Sequence, residues 1–164
     1  MKFTSFTEMP VWQKAHKMVL NVYELTASFP NAETYGLTSQ IRRAALSISG
    51  NIAEAFGRFH YLDKNKFYLN ARGSLEETKN YLIISRDLGY TKAEAFQTLM
   101  DNIDDINEEL NTLIKTLRIR NQQKSSQSKS KSESQYQSKS NSKSESESES
   151  QSKSKSESQS QSDQ

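Results

Sequence analysis

Cysteine is absent from these 164 residues, which excludes disulfide bridges, thiolate nucleophiles and zinc sites built on cysteine. Proline occurs only at Pro10 and Pro30, so the stretch after Pro30 contains no residue that must break a helix. Histidine is equally scarce. A di-metal site inside a helical bundle needs Glu-x-x-His on two helices, and His16 and His60 are preceded three positions earlier by Gln13 and Gly57. The chain also lacks a GxxxxGKS phosphate loop and a Gly-x-Ser-x-Gly nucleophile turn. No run approaches the roughly 18 to 20 apolar residues that span a bilayer, and the opening MKFTSFTEMPVW has no apolar leader segment. The expectation is a soluble, cytoplasmic protein with no membrane partner, no catalytic residues, no metal and no cofactor.

What is present divides in two. Up to Arg120 apolar residues recur at helical spacing; from Asn121 onward the chain is nearly all Ser, Gln, Lys and Glu, with Tyr136 its one large apolar side chain. Such a tail cannot bury enough surface to offset a backbone ordering cost of roughly 1 to 2 kcal/mol per residue. The expected organisation is therefore a folded domain over residues 1–120 and a disordered low-complexity tail over residues 121–164.

Charge is nearly balanced, with 22 Lys and Arg against 20 Asp and Glu. Net charge gives no warrant for a polyanionic partner, but its distribution is uneven. Residues 37–92 hold nine bases against five acids, while residues 93–109 hold six acids and no base. A segregated field of this kind can steer a polyanion or a complementary subunit, although solvated helix faces produce the same pattern.

Four helices follow from the periodicity. Pro10 suits a first turn, and Val11, Ala15, Met18, Val22, Leu25 and Phe29 mark a stripe that Pro30 ends. Thr38 or Ser39 can cap the second helix, in which Ile41, Ala45, Ile48, Ile52, Ala55 and Phe59 share a face. Gly50 and Gly57 each cost roughly 1 kcal/mol relative to Ala there, which suggests a neighbour whose backbone comes close. A third helix starts near Leu62 or Asp63, with Phe67, Ala71, Leu75, Thr78 and Leu82 inward, and Gly89 suits its left-handed end. Thr91 and Glu94 have capping-box spacing ahead of a fourth stripe, Phe96, Leu99, Ile103, Ile106, Leu110, Leu113 and Leu117. Short connections make consecutive helices neighbours, so the expected fold is an all-α, antiparallel up-down-up-down four-helix bundle.

Two sets of side chains invite a functional reading. Ser47, Asn51, Glu54 and Arg58 on the second helix, with Arg72, Ser74 and Glu77 on the third, can form a structural polar layer that fixes register; a phosphate site or catalysis through Glu54, Glu77 and Arg58 are the alternatives. Arg42, Arg43, Lys64, Lys66 and Arg72 can contact a phosphate backbone, and Tyr61, Phe67 and Tyr68 interleave with them as stacking candidates or as core. Trp12 beside Val11 and Phe3 or Phe6 suits either a subunit contact or packing within the monomer.

Four blocks carry a resemblance to a known family: VWQKA at Val11 to Ala15, FPNAETYGLTSQIRRAALSISGNIAEAFGR at Phe29 to Arg58, ARGSLEE at Ala71 to Glu77, and Leu88-Gly89-Tyr90. Over Phe6 to Leu117 the chain resembles the four-helix-bundle family of 23S rRNA intervening-sequence proteins, which is similar to the accessory variability proteins of diversity-generating retroelements. It departs from the family at Ala55, where glycine is usual, and its Ser-rich tail has no counterpart there. The resemblance implies a non-enzymatic homo-oligomer, a pentamer in form. For the retroelement relatives it also implies binding to RNA or DNA and to a reverse transcriptase through a basic surface, for which Arg42, Arg43, Arg58 and Arg72 are the matching candidates. The alternative is a structural or protein-interaction scaffold that binds no nucleic acid.

Overall fold

The structure is a computed structural model that describes the backbone of residues 3–159 and the side chains of residues 3–127; residues 160–164 of the tail lie outside the described residues. Its helices are α1 (Pro10–Thr26), α2 (Leu37–Gly57), α3 (Tyr61–Asp87) and α4 (Ala93–Gln159), with single 3-10 turns at Phe6–Glu8 and Asn31–Glu33. No strand occurs among the described residues.

Cross-helix bonds fix the topology. Lys14 of α1 reaches Glu109 of α4 at 2.7 Å. Arg42 of α2 donates through Nε to the Thr26 hydroxyl at the end of α1 (2.7 Å). The Ser47 and Ser74 hydroxyls share a hydrogen bond of 2.8 Å between α2 and α3. Arg72 of α3 donates to Asn111 Oδ1 of α4 (3.1 Å), and Lys79 to Asp104 (3.5 Å). Along the last two pairs the number rises on α3 as it falls on α4, so these helices are antiparallel. Each helix thus neighbours the next and the fourth returns to the first, giving the up-down-up-down bundle.

Between the helices lies one apolar core. Met18, Val22, Ile41, Ile48, Ile52, Leu75, Leu82, Ile103, Ile106 and Leu110 are essentially inaccessible to solvent, and Leu117 is the last buried residue among those described. Each fully buried Leu or Ile stabilises by about 1.5 to 3 kcal/mol, against about 0 to 1 kcal/mol for an exposed ion pair such as Lys14 with Glu109. Stability therefore resides in the core, and the ion pairs refine the register.

Several local expectations are revised. Helix α2 begins at Leu37, so Thr38 and Ser39 lie inside its first turn; the Glu33 carboxylate caps it instead, accepting from the Leu37 N–H at 3.0 Å. A carboxylate at a helix N-terminus also meets the favourable end of the dipole. Gly36 makes that approach possible, because a Cβ there would stand 2.7 Å from the Glu33 oxygen. The face expected to run from Ile41 to Phe59 stops with the helix, leaving Phe59 89% exposed. Gly50 and Gly57 face open space, with nothing within 4 Å of where a Cβ would stand, so no backbone among the described residues approaches them.

At the α3–α4 turn, Gly89 adopts φ +75° as expected, with Tyr90 N–H reaching back to Ser85 O (2.8 Å) and Gly89 N–H to Arg86 O (2.9 Å). Thr91 makes no box with Glu94; its buried hydroxyl pairs with that of Ser85 at 2.7 Å. Helix α4 is described through Gln159, beyond the Arg120 boundary that the sequence reading set, and neither proline nor glycine interrupts residues 121–159. Residues 1–121 and 122–164 are separate compact units.

Candidate nucleic-acid interface

The six candidate phosphate-binding bases do not form one patch. Arg42 and Arg43 lie near the start of α2, whereas Arg58 follows its end, about 24 Å further along at 1.5 Å per residue. Arg42 is half-buried, bonded to Thr26 and stacked 4.7 Å from the Tyr23 ring centre, so it fastens α2 to α1. Arg72 is taken up by Asn111. Arg43 is exposed and joins no ion pair among the described residues; it lines a cleft of about 160 Å³ with Gln40, Ala44, Ser47 and Glu77.

A second group gathers at the α2–α3 connection. Arg58 pairs with Glu54 and lies over the Phe67 ring at 4.7 Å. The Lys64 ammonium donates to Phe56 O at 3.1 Å, where a cation meets the unsatisfied carbonyls of a helix C-terminus. Burial of that ammonium lowers its pKa from the ordinary lysine value. Lys66 is exposed and unpaired among the described residues. Two further cations belong here that sequence reasoning missed. The register set by Arg72 with Asn111 and Lys79 with Asp104 brings residues 64–66 of α3 level with residues 117–119 of α4. Arg118 and Arg120, both exposed and without an ion pair among the described residues, therefore stand at the same end of the bundle as Lys64 and Lys66. The readable signal was the short connections, which oblige the last folded turn of α4 to return to the start of α3.

The expected stacking rings are differently placed. Tyr68 is buried, and its burial raises the phenol pKa; Phe67 is half-buried beneath Arg58, and Tyr61 is half-buried against the core. At the α2–α3 connection the exposed ring is Phe59, which meets His60 edge to face with ring centres 5.5 Å apart; Tyr35, ahead of α2, is exposed as well.

The polar layer is narrower than expected. Asn51 donates to Ser47 O (2.7 Å) and to the Ser47 hydroxyl (3.0 Å), which is joined to Ser74 across α2 and α3. Glu54 and Arg58 pair on the exposed side of α2, and Glu77 accepts from the Tyr81 hydroxyl at 3.2 Å on the exposed side of α3. Glu54 and Arg58 line an open cleft with Gly50, Ala53 and Gly57, while Glu77 lines a separate one with Arg43, so the two carboxylates are not brought together. No cluster of three or more His, Asp or Glu suited to a metal occurs among the described residues, and no described helix is long and apolar enough to cross a membrane.

Fold and surface together define an antiparallel four-helix-bundle protein. The description "23S rRNA-intervening sequence protein" matches residues 7–112, well over half the chain, and the chain belongs to that family. The family is not one defined by an enzymatic activity. Among solved structures, a protein of unknown function from the S23 ribosomal protein family of Bacteroides thetaiotaomicron, seen at 1.70 Å, has the same fold. It is 22% identical, with a TM-score of 0.58, and the match covers 64% of this chain and 98% of that one. A search of curated proteins finds no match.

Proposed function

We propose that this chain is a non-enzymatic, homo-oligomeric four-helix bundle that binds RNA or DNA, or a nucleic-acid enzyme such as a reverse transcriptase, through the basic end formed by the α2–α3 connection and the last folded turns of α4. The supporting observation is that Lys66, Arg118 and Arg120 are exposed and without an ion pair among the described residues, at the same end of the bundle as Arg58 and Lys64. Cations already held by carboxylates have little left to offer a phosphate; these three are free to release counterions from a nucleic acid. Assembly into a ring repeats the patch, and multivalency turns a weak contact into a strong one.

The test is binding of labelled single-stranded RNA to the full chain across a salt series, with particle size followed by light scattering. The parent should bind at about 50 mM salt and weaken linearly in log affinity against log salt, by about 0.7 per phosphate neutralised. The double variant Lys66→Glu and Arg118→Glu should bind much more weakly with an unchanged melting curve. Arg42→Glu is the wrong probe, because that side chain fastens two helices. A parent that ignores nucleic acid at low salt while remaining oligomeric would favour a scaffold. That second reading has its own support in the outer face of α2, where Leu46 is 46% exposed beside Gly50, Ala53 and Gly57.

A further inference from the structure

We infer that Phe59 is a stacking platform for an unpaired base, so that the nucleic acid taken at the basic end is single-stranded there. This rests on the nucleic-acid reading and adds to it the strandedness of the ligand and the residue that selects it. The ring is 89% exposed, the most exposed phenylalanine in the folded unit, and Leu62, three residues on in the first turn of α3, is 67% exposed. A large apolar side chain held in water has no stabilising role in the bundle.

Its presentation is rigid. Arg58 and His60 are both extended, with φ −77° and ψ 143°, and φ −86° and ψ 142°, so the backbone crosses between α2 and α3 in three residues with Phe59 in the middle and a bend at His60. That segment is fastened at both ends. Arg58 N–H bonds to Ala55 O (3.3 Å), Lys64 N–H to His60 O (3.0 Å), and the Lys64 ammonium to Phe56 O (3.1 Å). The Arg58 guanidinium is pinned between Glu54 and the Phe67 ring. A backbone fixed this way loses little freedom when a ligand covers the ring it carries.

The surroundings choose the occupant. Neither Phe59 nor Leu62 lines a described cleft, and the ring stands exposed on the connection itself. Cations share this end of the bundle: Lys66 in the second turn of α3, and Arg118 and Arg120 at the level that the α3–α4 register sets, with Asp63 the one carboxylate in the first turn of α3. A planar π surface at the same end of the bundle as unpaired cations matches the base and the phosphates of a nucleic acid. A duplex keeps its bases stacked on one another and cannot use the ring, whereas an unpaired base can.

The experiment compares the full-length parent, Phe59→Ala and Phe59→Trp for binding to a single-stranded RNA and to a duplex of equal length at one low salt concentration. Phe59→Ala should lower single-strand affinity about 5- to 150-fold while duplex affinity and the melting curve stay unchanged, and Phe59→Trp should restore single-strand binding. If the parent binds single strands and Phe59→Ala binds them equally well, the platform is wrong and the basic surface alone stands. A loss of equal size on duplex and single strand would also overturn it, assigning Phe59 to general surface structure. A parent that binds neither nucleic acid overturns the functional reading and this inference with it.

Discussion

Tyr68 on α3 has its phenol in the core, and burial holds that group above the ordinary tyrosine pKa of 10.0. The raised value means that the folded state binds the proton more tightly than the unfolded one. This contribution is intact below pH 10 and is lost as pH rises through the folded-state value. Urea midpoints of the parent and Tyr68→Phe, followed from pH 8 to 11, should therefore agree at the lower end and diverge above pH 10, where the parent falls further. Parallel curves would refute the argument, since Lys14 and Tyr81, whose pKa values are also raised, are common to both chains. The residue scale also shows how reading a stripe misleads. Phe59 has the right spacing to continue the buried face of α2, yet the helix ends at Gly57 and the ring stands in water. Spacing identifies a face only while the helix lasts.

Helix α2 carries the densest information in the chain. Its inward residues Ile41, Ala45, Ile48, Ile52 and Ala55 are all buried as their spacing requires, because a period of three and four leaves no other way to hide them. Its glycines behave differently. Nothing stands within 4 Å of a Cβ built on Gly50, so Gly50→Ala should gain about 1 kcal/mol from helix propensity in a monomer, read as a higher melting temperature. Gly50→Leu separates the fold from assembly: helicity and core packing should persist, while light scattering should report a smaller particle if a second copy covers this face. A Leu variant of unchanged size would leave the glycine without a contact to protect. Capping was the least legible feature of the elements. The Glu33 cap depends on a 3-10 turn that places its carboxylate over Leu37 N–H, and the Ser85–Thr91 hydroxyl pair depends on a reversal at Gly89 that only the folded backbone creates.

At the scale of the molecule the core ends at Leu117, and the compact unit that contains it ends at Asn121. Truncation after Arg120 should leave the melting temperature of the bundle within about 1 °C of the parent's, because no buried residue among those described is removed. A large drop would mean that the tail takes part in the folded unit. The tail itself has no proline or glycine to stop a helix and no apolar stripe to hold one against a core. The sequence reading expects the tail to add no helix, whereas α4 is described through Gln159; comparing the mean-residue ellipticity of the two chains decides between them. The sequence by itself determined the number of helices and most of their inward faces, because burial of apolar residues follows directly from their period. It did not determine which charged groups stand together. Arg118 and Arg120 lie some fifty residues from Lys64 and Lys66, and only the antiparallel register of α3 and α4 puts them at one end of the bundle. Nor could it tell a free cation from a bound one: Arg42 and Arg72 read like Arg43 and Lys66 until the packing supplied Thr26, Tyr23 and Asn111 as partners. Charge acts through distance, and distance between sequence-remote groups is decided by tertiary packing alone.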